Sequence, residues 1–118
     1  PATSLVLRRG LTGTQLAAGS WLAPPTGTPT RTGATWTTPA GATVFALAYA
    51  QGATKVLGVS VFDGSTSVTV PDLIAVPSGP LTVTLEAIGA PGLDVTSFSL
   101  DADRAKLATV ASQTMQVN

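Results

Sequence analysis

The stretch LTVTLEA (81–87) alternates without a break: Leu81, Val83, Leu85 and Ala87 on one side, Thr82, Thr84 and Glu86 on the other. A side-chain period of two belongs to a strand with one buried and one solvated face, and no helix can reproduce it. The neighbouring runs agree. KVLGVSVF (55–62) and SVTV (67–70) are rich in β-branched residues, and turn chemistry separates the runs at QGAT (51–54), FDGS (62–65) and PSGP (77–80). Short strands with turns every eight to twelve residues predict an all-β sandwich or barrel.

Within that frame VFALAYA (44–50), the last part of TWTTPAGATVFALAYA, reads as a central strand with both faces covered. It lies between Gly41 and Gly52, with Pro39 just upstream. That length is short for a packed helix and far below the ~20 apolar residues that span a membrane. TSLVLRR (3–9) reads as an edge strand and GATWTT (33–38) as a strand ended by Pro39. The Gly-, Thr- and Pro-rich stretch 10–32 reads as a loop with a short strand near Gln15 and Leu16. TSFSL (96–100) and ASQTMQV (111–117) read as extended. The segment between them, DADRAKLATV, reads either as a helical turn with Asp101 as N-cap or as a hairpin. The expected core is Trp36, Val44, Ala46, Phe62, Val68, Val83 and Leu85.

At 118 residues the chain has the size of one domain, 1–118. Hydrophobic residues make up 44% and the formal charge is zero, which places it among globular rather than disordered chains. Six basic residues balance six acidic ones. Apart from Arg8-Arg9 no basic residues adjoin, so the sequence offers no footprint for nucleic acid. The opening PATS, without initiator Met or signal peptide, reads as the start of a processed or excised segment.

The order of the pieces resembles a fibronectin type III-like domain of the immunoglobulin-like sandwiches. The resemblance covers residues 33–88. It rests on Trp36-Thr-Thr-Pro39, on Phe45, Leu47 and Tyr49 along the next strand, and on TSVTV followed by Leu73. A Gly/Pro turn then leads into LTVTLEA. Where that family opens its last matched strand with a tyrosine, this chain has Leu81. The resemblance implies a sandwich of about seven strands. In composition the chain also looks like sandwiches attached to secreted and envelope proteins of high-GC bacteria, which implies an extracytoplasmic setting: periplasm, cell surface or secreted.

The chain has no His and no Cys, which removes Ser-His-Asp triads, Cys-His dyads and ordinary zinc sites. No glycine-rich stretch ends in Lys followed by Ser or Thr, so there is no phosphate loop. Asp63, Asp72, Asp94, Asp101 and Asp103 fall in expected turns, where Asp is a turn former, and Glu86 lies on a polar strand face. No catalytic, cofactor-binding or metal-binding residues are expected, and no cofactor. Asp101 and Asp103 are the one pair with a spacing that suits calcium, but calcium needs six to eight oxygens. Trp36 and Tyr49 read as core. Trp21, in GSWLAPP, reads equally as a lid over an open end of the sandwich or as a binding contact. The expected role is a non-catalytic structural or interaction module whose partners are other subunits or domains of an envelope assembly. A carbohydrate-binding module using Trp21 is the alternative.

Overall fold

The alternation over 81–87 builds the middle strand of the larger of two sheets. The computed structural model describes residues 2–6, 21–97 and 99–118. It contains strands β1 (Ala2–Val6), β2 (Thr26–Thr30), β3 (Gly33–Thr37) and β4 (Val44–Gln51). These are followed by β5 (Thr54–Val61), β6 (Ser67–Thr69), β7 (Leu81–Gly89) and β8 (Thr109–Val117). A helical turn α1 (Leu100–Asp103) and a 3-10 turn (Arg104–Lys106) interrupt the connection from β7 to β8. The sheets run β1-β8-β7-β4-β5 and β2-β3-β6, and every pairing is antiparallel. The fold is an all-β sandwich. Seven strands close the two layers, and β1 adds an eighth on the free edge of β8.

Cross-strand partners share a face, so the register identifies the inner row. Leu85 of β7 stands opposite Leu47 of β4, Val83 opposite Tyr49, and Ala87 opposite Phe45. All six are buried, and Ala34 and Trp36 of the smaller sheet close over them. The Trp36 and Phe45 rings lie 5.3 Å apart, tilted by 48°. The Tyr49 hydroxyl donates to the Gly33 carbonyl at 2.9 Å, tying β4 to β3 across the layer. Burial pushes the Tyr49 phenol above its ordinary pKa.

The expected core holds for Trp36, Val44, Val83 and Leu85, which are buried, and Val68 packs against it partly buried. On β4 the expected residues are not the ones that face the other sheet. Val44 and Ala46 pair with Ile88 and Glu86 on the outer face, and the inner positions belong to Phe45, Leu47 and Tyr49. Val44 is buried on that outer side, whereas Ala46 is half-buried. Phe62 is also half-buried, lying one residue past Val61, which takes the last inner position of β5. The strand is central, but its outer face is not sealed. Ala46, Ala48 and Ala50 are half-buried and pair with Ser60, Gly58 and Lys55 on one side. An all-apolar run arises here because one face is core and the other is alanine after a buried Val44.

Three other expectations need correction or fall outside the description. Residues 10–32 are not all loop, since Thr26–Thr30 form β2, an edge strand that tolerates Pro29 because its outer N–H positions need no partner. The strand expected near Gln15 and Leu16 lies outside the described residues. Residues 96–97 form a turn rather than extended chain, and Leu100 already opens a helix. Asp101 is therefore inside the first turn, not at its cap. Asp103 instead reaches back to accept the Ser99 N–H at 2.9 Å.

Candidate functional site

At the end of the sandwich where β4 and β8 begin and β7 finishes, the chain leaves an apolar cleft of about 430 Å³. Leu22 turns into the core at 3% exposure and its carbonyl accepts the Ser4 hydroxyl at 2.9 Å. Trp21, its neighbour, stands on the cleft wall with 63% of its surface exposed. The floor is backbone held in place by hydrogen bonds: Thr43 N–H to Ile88 O at 2.8 Å, and Ala108 N–H to Gly89 O at 2.9 Å. Two glycines give it shape. Gly41 has φ +90, a left-handed conformation that favours glycine. A β-carbon on Gly89 would lie 3.0 Å from the Gly41 carbonyl and against the Thr109 hydroxyl, so any side chain there would push the β3–β4 turn off the end of β7.

The cleft walls are Trp21, Leu22, Pro91 and small residues such as Ala42 and Ala108. The polar side chains among them are the hydroxyls of Thr43 and Thr109, and Thr43 already accepts the Ala90 N–H at 3.2 Å. Among the described residues no charged or amide side chain lines it. Chemically the cleft can sequester an apolar group against an indole face. Its described walls hold neither a carboxylate nor an amine.

The carboxylates singled out in the sequence are engaged in turns. Asp94 accepts the Thr96 hydroxyl at 2.7 Å, the Ser97 hydroxyl at 2.8 Å and the Thr96 N–H at 2.9 Å, which hold its pKa down at about 2. Asp63 accepts the Ser65 N–H at 2.9 Å and is also lowered, chiefly by that bond. Asp103 is buried, pairs with Lys106 at 2.6 Å and is lowered by that contact first and by Ser99 second. Asp101 is exposed. The i, i+2 spacing thus places one carboxylate in an ion pair and the other in solvent. Among the described residues no group of three or more acidic side chains is arranged to hold a metal ion. Trp36 and Tyr49 are interior at 6% and 0% exposure, which removes them as a surface platform.

The opposite end of the molecule carries a feature that the sequence reading touched only through Leu73, as part of the family resemblance. The β6–β7 connection presents Leu73 at 98% exposure and Ile74 at 38%. The loop around them is braced. Arg31 donates to the carbonyls of Pro77, at 2.6 Å, and Gly79, and Gln51 donates to Ser78 O at 2.7 Å. The signal was legible as LIAV (73–76), four apolar residues between Asp72 and Pro77 in a segment too short and too proline-bounded for a strand. A further shallow depression of about 350 Å³ on the outer face of the large sheet is walled by Ala46, Ala48, Gly58, Lys55 and Glu86, with no aromatic residue. Comparison of the chain with protein-family models, with curated proteins and with solved structures returned no match.

Proposed function

We propose that the chain is a non-catalytic interaction module of the fibronectin type III-like, immunoglobulin-like class, serving a bacterial extracytoplasmic protein or assembly, and that it meets a protein partner at the Trp21 cleft. The class is supported by the division of β2–β8 into sheets of three and four strands, by Trp36-x-x-Pro39, and by the inward Phe45, Leu47 and Tyr49. The extracytoplasmic setting rests on composition, rich in Thr, Ala and Gly.

One observation carries the binding role: a tryptophan 63% exposed above an apolar cleft. Exposed indole over a concave apolar surface is the usual make-up of a protein contact. It also argues against the carbohydrate alternative. A sugar needs hydrogen-bonding side chains beside the aromatic ring to match its hydroxyls, and among the described residues this cleft supplies two threonines, one already engaged. The proposal is tested by placing a photoreactive residue at Ala40, which is exposed beside the cleft, and cross-linking in the native host. A discrete protein adduct is expected. An adduct that disappears on glycan hydrolysis supports the carbohydrate reading, and no adduct at all overturns the cleft as a contact.

A further inference from the structure

The two long sides of the sandwich are finished differently. On one, β1 adds to β8 and β2 packs against β8; on the other, β5 and β6 end their sheets. β5 has eight residues, and among the described residues nothing pairs with the edge it turns away from β4. A row of unpaired backbone N–H and C=O groups suits one kind of occupant, another strand. The edge is defended at its start alone. The register with β4 shifts between Tyr49 and Ala50, which leaves Val56 as a bulge beside the charged Lys55, and both devices discourage pairing. Leu57–Val61 contains no proline, no charge and no bulge.

The interior is open along the same side. Leu57 and Val59 stand opposite Tyr49 and Leu47 on the inner face, yet both are half-buried, as is Val68 of β6. A depression of about 340 Å³ passes Val59, Val61 and Val68 there. A strand that fits this edge brings apolar residues to the inner face. On the outer face it brings small ones, beside Gly58, where another backbone can approach closely. Among the described edge strands, β2 carries Pro29, β6 has three residues, and β1 sets Ala2 and Ser4 on its inner face. The strand with the required pattern is β5 itself.

We propose that a second copy of this chain covers the edge with its own β5, antiparallel about a two-fold axis through Val59. The faces set the register. A slip of one residue would turn Leu57 to the outside. An axis at Val59 overlaps the whole undefended stretch, with Leu57 opposite Val61 and Gly58 opposite Ser60 of the second copy. The contact is isologous, so it closes at a dimer, and it leaves the Trp21 cleft uncovered. Five paired residues, about 17 Å of strand, make a small contact beside the ~800 Å² per partner of a standard interface. Free copies therefore associate weakly.

Sedimentation velocity from about 10 μM to about 1 mM, the range suited to a contact below standard size, tests this. The unaltered chain is expected to pass from monomer to dimer and to stop there. A β-carbon on Gly58 would lie 2.7 Å from Lys55 Nζ, so that ammonium rests over Gly58 on the outer face. Ser60→Lys sets a second ammonium against it in the dimer and should keep the chain monomeric with an unchanged circular dichroism spectrum. Trp21→Glu, at the cleft, should dimerise like the unaltered chain. In the unaltered chain, amide hydrogen exchange within Leu57–Val61 should slow as concentration rises. A chain that stays monomeric throughout, grows beyond a dimer, or dimerises without slowed exchange in Leu57–Val61 overturns the inference. So does a folded Ser60→Lys that dimerises unimpaired, or a Trp21→Glu that does not dimerise.

Discussion

The middle of the sandwich and its two ends use apolar residues differently. Between the sheets, Leu47, Tyr49, Leu81, Val83 and Leu85 are each no more than 2% exposed, and the fold accounts for all of them. At the ends, Trp21 is 63% and Leu73 98% exposed, and the fold accounts for neither. A folded chain gains nothing in stability from an indole or an isobutyl group left in water. The difference separates residues that hold the domain together from residues available to a partner. It also yields a dissociation. Changes in the middle should lower stability, and changes at the ends should leave stability alone.

The largest expected effect is in the middle. Leu85→Ala removes a side chain that faces Leu47 within its sheet and approaches β2 at Gly27 across the layer. It should cost about 2–4 kcal/mol through lost burial and the cavity left behind. Chemical denaturation measures this directly, and a loss under about 0.5 kcal/mol, the usual range for surface positions, would remove β7 from the core. Tyr49→Phe comes next. It keeps the ring but leaves the Gly33 carbonyl without its donor, a loss of about 1–3 kcal/mol. The buried phenol also fixes a sign at high pH. Its pKa is raised in the folded state, so the stabilisation is complete below 10.0 and is lost as the pH rises beyond that value. Tyr49→Phe should remove that part of the alkaline loss.

The sequence disclosed the middle better than the ends, for a physical reason. Period-two alternation reports which residues face a core, so LTVTLEA located β7 and its inner row outright. VFALAYA carried no such information, because alanine fits an open face as well as a closed one. The parity of β4 therefore came from its pairing with β7. TGTPT (26–30) concealed β2 because an edge strand with Gly27 and Pro29 inward has turn-like composition. Trp21 was visible as a candidate, but whether it was lid or contact depended on Leu22 taking the buried position beside it. LIAV entered only through Leu73 as a family marker, because its exposure is legible only once the strands on either side are placed.

Acid tests the cleft end at a smaller scale. Asp63, Asp94 and Asp103 lie in its connections with pKa values held below the ordinary 3.8, that of Asp94 at about 2. A depressed carboxylate stabilises the fold above its unfolded pKa and ceases to do so as the pH falls through the folded one. Melting temperature should stay level from pH 8 to 5.5, since no His or Cys titrates there, and fall between about pH 4 and 2. Asp94→Asn should flatten part of that fall. A drop between pH 8 and 5.5 would contradict the assignment of these turns.

The smallest expected effect decides most. The unfolding free energies of Trp21→Ala and Leu73→Asp, measured beside that of Leu85→Ala in the same denaturant series, ask whether the apolar ends belong to the fold. Both end variants should match the unaltered chain within about 0.5 kcal/mol, as surface changes do, while Leu85→Ala falls by at least about 2 kcal/mol. If Trp21→Ala instead costs as much as Leu85→Ala, the indole is a structural lid, and the end of the sandwich is part of the core rather than a surface kept for a partner.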